Sequence, residues 1–171
     1  YNPVHFGHLR LAEEVREEFS LGCVLFVPSR IPPHKRVFPE IDPSLRLAMV
    51  REAIAGNPGF RCDDVEIRRE GPSYTIDTVD YVYGAYDFAG KPYFILGSDL
   101  LPGLDSWKDI GLLLQRVVFI VLLRGGLDRD GALSLVHPLR RFLGENEPIA
   151  GHFLFATGRK IDITSSEIRE K

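Results

Sequence analysis

A chain of 171 residues, 44% hydrophobic and 26% charged, has the make-up of one ordinary globular domain and enough length to bury a core. Its net charge of -3 argues against a general duplex or RNA binder, which would carry a basic surplus, and no apolar run approaches the ~20 residues of a membrane span. No basic segment leads into an apolar one, and Cys23 and Cys62 read as buried free thiols rather than a disulfide or metal site, so the expected location is cytoplasmic.

The chain opens with Asn2-Pro3-Val4-His5-Phe6-Gly7-His8, followed by Leu9, Ala12, Val15 and Phe19 at helical spacing. Cys23 opens an apolar, strand-like run that continues through Val24–Val27 and gives way to Pro28-Ser29-Arg30 and then to Pro32-Pro33-His34-Lys35. Asp42-Pro43-Ser44 caps a second helix, with a predicted apolar stripe at Leu45, Ala48, Met49 and Ala53 broken by Glu52. A third helix follows Ser73, with Ile76, Val79, Tyr83 and Tyr86 on one face. Strand Tyr93–Leu96 runs into Gly97-Ser98-Asp99, and a fourth helix carrying Ile110, Leu113 and Leu114 follows the Ser106 region. Strand Val117–Leu122 runs into Arg124-Gly125-Gly126, and strand Phe153–Phe155 is followed, after a short connection, by Thr164-Ser165-Ser166.

These strand runs are short and do not alternate, as expected of strands buried on both faces. Strands alternating with helices predict an α/β fold, a doubly wound and mostly parallel sheet with helices on both faces. Ligands bind such sheets at the carboxyl ends of the strands, so the polar residues that follow the strands are the first candidates.

Two motifs carry chemistry. His5 and His8 lie three apart at a helix start, where unsatisfied N–H groups and the positive helix end favour phosphate, and Gly7 allows close approach. Read alone, the pair serves equally well as surface or capping histidines. Near the other end, Thr164, Ser165 and Ser166 stand at a second helix start with Arg169 one turn inside. Such hydroxyls can hold outer phosphates while the guanidinium neutralises a leaving pyrophosphate. A capping box of Thr164 and Glu167 explains part of that pattern without any ligand, but not Arg169 after Ile168.

Together the two motifs resemble the nucleotidyltransferase superfamily with H-x-G-H and I-S-S-T-x-I-R signatures, the second reading here Ile163-Thr164-Ser165-Ser166-Glu167-Ile168-Arg169. Pro32-Pro33-His34-Lys35, Ser73-Tyr74-Thr75, Gly97-Ser98-Asp99 and Trp107, in that order, are similar to the nicotinate-nucleotide adenylyltransferase family. The resemblance implies a Rossmann-like fold and adenylyl transfer from ATP to nicotinate mononucleotide in NAD biosynthesis. It implies ATP binding by His5, His8, Gly97, Asp99, Arg124, Thr164, Ser165, Ser166 and Arg169, with His5, His8 and Arg169 catalytic. It implies backbone N–H groups at Thr75 and Lys108 for the nicotinate carboxylate, Trp107 stacked on the pyridine ring, and His34 and Lys35 reaching toward the acceptor. Mg²⁺ is expected to arrive with ATP, with no protein-built metal site.

Residues 1–171 read as one nucleotidyltransferase domain, and the resemblance implies a first strand with a Gly-Gly-Thr/Ser stretch expected before Tyr1 and a C-terminal helix expected after Lys171. Tyr1-Asn2 stands where Phe-Asp is common, and Gly125-Gly126 replaces proline-glycine. Rival readings are pantetheine-phosphate adenylyltransferase, an aminoacyl-tRNA synthetase fragment, and a non-catalytic nucleotide-binding module. No nucleic-acid or membrane partner is expected, and oligomeric state stays open, a homo-oligomer included.

Overall fold

The computed structural model describes residues 3–32 and 41–156. They group into two compact units, residues 3–73 and residues 74–156.

In the first unit α1 spans Phe6–Glu18, with His5 as N-cap in extended conformation. Its Ala12 and Val15 are buried, two members of the predicted stripe, while Leu9 and Phe19 are half-buried. β1 (Val24–Phe26) and β2 (Phe60–Cys62) pair in parallel, with Val24 opposite Phe60 and Phe26 opposite Cys62. Between them runs α2 (Pro43–Ile54), capped by the Asp42 carboxylate, which accepts from the Ser44 and Leu45 N–H groups, and started by a proline that needs no hydrogen bond there. The face of α2 differs from the expectation. Arg46, Leu47, Val50 and Ile54 are buried, whereas Leu45 and Ala48 are exposed and Met49 and Ala53 only half-buried. A one-turn helix, α3 (Val65–Arg68), follows β2. Phe26 and Phe60 meet edge to face at 5.1 Å, closing this core from both strands. The two cysteines are free thiols as expected, but Cys23 lies just outside β1 and is exposed, and Cys62 is half-buried.

The second unit begins with α4 (Thr75–Ala85) and holds a three-stranded parallel sheet: β3 (Tyr93–Gly97), β4 (Val118–Leu122) and β5 (Phe153–Ala156), in that spatial order. A 3-10 segment, Ser98–Ser106, follows β3, and α5 (Ile110–Arg116) leads into β4. α6 (Arg129–Val136), begun by Asp128 accepting from the Gly131 N–H, follows β4. Phe119 and Phe153 stack at 5.2 Å inside a core shared with Leu96, Leu104, Leu113, Leu114 and Val136. Strands covered on both sides have no polar face to display, hence the continuous run from Val117 to Leu122. Buried His152 is part of this packing: its Nδ1 lies 2.9 Å from the Leu114 carbonyl and its Nε2 2.9 Å from Glu147.

The register matters most for function. Gly97 pairs with Leu122 and Leu122 with Ala156, so all three strands end in one row and deliver their following residues to the same edge. Among the described residues no helix is long and apolar enough to cross a membrane.

Candidate active site

The start of α1 is built by its own histidines. The His8 Nδ1 accepts the His5 backbone N–H at 3.3 Å, and the two side chains form a reciprocal capping-box arrangement around the first turn. The rings lie 3.7 Å apart between centroids. An Nδ1 that accepts carries no proton, so a neutral His8 bears its proton on Nε2 and offers that N–H as a donor. Glycine at the buried position 7 adds no side chain to this turn. The result is a helix N-terminus with a fixed imidazole donor, suited to oxyanions of a phosphate.

Two further positions in this unit hold backbone in place, Arg46 and the Ser73 of the Ser73-Tyr74-Thr75 stretch. Arg46, a charged residue on α2, is only 6% exposed. Its guanidinium donates to the Arg30 carbonyl at 3.0 Å and the Ile41 carbonyl at 3.3 Å, one on either side of segment 33–40. The buried Ser73 Oγ accepts from the Arg30 and Ile31 N–H groups at 3.0 and 3.4 Å, and the Ser73 N–H donates to the Ile31 carbonyl at 2.9 Å. One of the carbonyls that accept from Arg46 lies sixteen residues back in the chain, which local patterning does not show.

In the second unit, Gly97, Asp99 and Arg124 come together where β3 and β4 end. The Asp99 carboxylate lies 3.8 Å from Arg124, and both side chains are more than half exposed. Buried Ser98 fixes the second strand end by accepting the Arg124 N–H on its Oγ at 3.0 Å. Gly97 has an ordinary extended backbone (φ -78°), so its requirement is space: a Cβ there would run into Asp99 Oδ1 and sit 3.6 Å from the Arg124 guanidinium carbon. Gly125 and Gly126 then turn the chain with φ of 64° and 79°, a region that glycine enters without penalty.

The 3-10 segment connects this strand edge to Trp107, which caps it by donating its N–H to the Leu104 carbonyl at 3.2 Å. The indole is half-buried and meets Phe94 edge to face at 5.8 Å. Thr75 is the first residue of α4, so its N–H is among those the helix itself leaves unsatisfied. Lys108 reaches that same helix start: its ammonium lies 2.8 Å from Asp77 Oδ1 and 4.9 Å from the centroid of the Tyr74 ring. The Asp77 carboxylate holds the Lys108 pKa above its ordinary value. Thus Thr75, Trp107 and Lys108 fall within one unit, the last tied to the helix of the first. His34, Lys35, Thr164, Ser165, Ser166 and Arg169 lie outside the described residues.

Against known proteins, the whole chain, residues 1–171, matches the cytidylyltransferase-like family model. It is 38% identical to a probable nicotinate-nucleotide adenylyltransferase of Geotalea uraniireducens over 99% of this chain and 82% of the relative. It is also 38% identical to one of Trichlorobacter lovleyi, over 100% and 83%. Among solved structures it is similar to Plasmodium falciparum nicotinic acid mononucleotide adenylyltransferase complexed with NaAD. That likeness has a TM-score of 0.69 and 20% identity, over 99% of this chain and 78% of that one. At that identity the structural match speaks for the fold, the Rossmann-like α/β class expected from the sequence.

Proposed function

Because the chain belongs to the cytidylyltransferase-like family, with nicotinate-nucleotide adenylyltransferases as its full-length relatives, we infer that it transfers the adenylyl group of ATP to nicotinate mononucleotide. The products are nicotinate adenine dinucleotide and pyrophosphate. The observation that carries the chemistry is the His5–His8 pair, fixed at the first turn of α1 with a ring donor on His8.

In this reading an oxygen of the mononucleotide phosphate attacks the α-phosphorus of ATP as the bond to the bridging oxygen of pyrophosphate breaks. The attacking oxygen is already anionic, so no general base is required, and the protein contributes alignment and charge neutralisation. His5 and His8 donate to the α-phosphoryl oxygens. Arg169, with Thr164, Ser165 and Ser166, takes the outer phosphates, and His34 and Lys35 meet the acceptor side. Mg²⁺ enters with ATP as part of the donor substrate. Gly97, Asp99 and Arg124 hold the nucleotide at the strand edge; Trp107 stacks on the pyridine ring, and the Thr75 and Lys108 N–H groups receive its carboxylate. A cytoplasmic site of action belongs to the same proposal, in keeping with two unpaired thiols.

The deciding experiment is pyrophosphate release from MgATP with nicotinate mononucleotide, nicotinamide mononucleotide and phosphopantetheine as parallel acceptors. Release is expected with nicotinate mononucleotide. Release with phosphopantetheine alone would keep the superfamily chemistry and discard the acceptor, and no release with any would leave a binding module.

Gly97→Ala tests the strand edge. The new methyl displaces the Asp99 carboxylate from Arg124 without touching the core. The expected result is a KM for ATP raised roughly tenfold, in line with the cost of small misplacements at a reacting site, with the thermal melting curve little moved. An unchanged KM would remove Asp99 and Arg124 from the nucleotide site.

A further inference from the structure

Lys108 does more than contribute a backbone position. Asp77 is the acidic residue in the first turn of α4, two positions after Thr75, and Tyr74 is that helix's N-cap. Alone, an Asp77 carboxylate would itself occupy the positive end of α4 and repel a second anion arriving there. The Lys108 ammonium, 2.8 Å away, cancels that charge, and its place over the Tyr74 ring seats it on the residue before the helix. The same contact ties the turn bearing Trp107 to the helix bearing Thr75. The following residue, Asp109, has φ 52° and ψ 40°, a left-handed conformation that aspartate tolerates better than most side chains. The chain therefore reverses immediately after Lys108, before α5 begins at Ile110.

We propose that the Lys108–Asp77 pair selects the acceptor: by cancelling the Asp77 charge and pinning the Trp107 turn to α4, it leaves the positive end of α4 for a carboxylate on the incoming ring. This rests on nicotinate mononucleotide being the acceptor. Neither member of the pair acts on the reacting atoms; both are positioning residues, and their effect is on discrimination between a charged and a neutral ring substituent. The pair is partly exposed, with 43% of the Lys108 and 34% of the Asp77 side chain accessible, which limits the size of the effect and makes it salt-dependent.

Trp107 is the one tryptophan of these 171 residues, so the intrinsic fluorescence of this chain reports it and gives acceptor binding without turnover. This chain is titrated with nicotinate mononucleotide and with nicotinamide mononucleotide. Lys108→Met is expected to weaken the first by about fivefold and the second by no more than about twofold, the scale of one partly exposed charge interaction. Lys108→Arg, which restores the charge, should recover most of the preference lost in Lys108→Met, as should Asp77→Asn placed in the Lys108→Met protein. An unchanged affinity in Lys108→Met, or equal losses for both acceptors, would overturn the proposal and leave the pair a structural clip. A wild-type protein that releases no pyrophosphate and binds neither mononucleotide would sink the acceptor reading itself, and this inference with it.

Discussion

Replacing His8 by alanine is expected to lower turnover by roughly 10²–10³, the usual loss when one fixed donor to a developing oxyanion is removed. The expectation follows from the direction of the ring. Because Nδ1 accepts the His5 N–H at 3.3 Å, the proton of a neutral ring sits on Nε2, and the cap itself holds the donor in place. Alanine removes both donor and cap acceptor, so the rate loss should come with a stability loss of about 1 kcal/mol, typical of a lost helix cap. The two effects separate in His8→Gln. A glutamine at this third helical position can accept the His5 N–H as the capping box requires, restoring stability. Its flexible amide is not a fixed donor, so turnover should stay low. The defect should fall on kcat more than on KM, since the interaction strengthens only as charge moves in the transition state. Steady-state kinetics and thermal melts on the three proteins check this, and full turnover by His8→Ala would remove the histidine pair from catalysis.

What the sequence reveals here depends on how local each interaction is. The histidine cap was legible because His5 and His8 are one turn apart, and β3 and β4 because Tyr93–Leu96 and Val117–Leu122 are uninterrupted apolar runs. α2 was found but its buried face was not. Apolar residues occupy both sides of that helix, and the core face contains Arg46, whose guanidinium donates to the Arg30 and Ile41 carbonyls. β2 escaped notice because three residues with an exposed Arg61 in the middle show no period. Gly131 and Ser134 weakened the helical signal of α6. Cys23 was misplaced by one residue, since the apolar run it precedes is buried while its own position lies just beyond the strand. In the candidate site, Gly97 and Asp99 were readable as strand-end residues and Thr75 as a helix-start residue, whereas Trp107 and Lys108 came from the family resemblance alone. Their partners were not readable: Ser98 meets Arg124 across 26 residues and Asp77 meets Lys108 across 31. Which neighbour fixes a side chain is set by strand register and helix placement, and no local window contains that information.

The acceptor pocket should yield to a substitution that deletes a backbone donor and nothing else. Thr75→Pro is expected to lower kcat/KM for nicotinate mononucleotide by roughly 10–100-fold, the worth of one hydrogen bond to a charged group. Proline is usually a poor probe of a helix, but Thr75 is the first residue of α4, where a missing N–H breaks no intrahelical bond and the fixed φ suits the helix. The residue before a proline must be extended, and Tyr74 already is, with φ -75° and ψ 134°. Tyr74 also keeps its carbonyl available to the Thr78 N–H at 3.3 Å, so the first turn can still close. α4 should therefore survive, with a melting temperature near that of wild type, while the nicotinate carboxylate loses one of its two proposed N–H partners. Activity with nicotinamide mononucleotide, whose amide carries no charge, should fall less, narrowing the preference. Thr75→Ala retains the N–H and should lose far less than the proline variant, which assigns the effect to the backbone rather than the hydroxyl. If Thr75→Pro folds and keeps its nicotinate preference, the carboxylate is held elsewhere, and the start of α4 serves the fold alone.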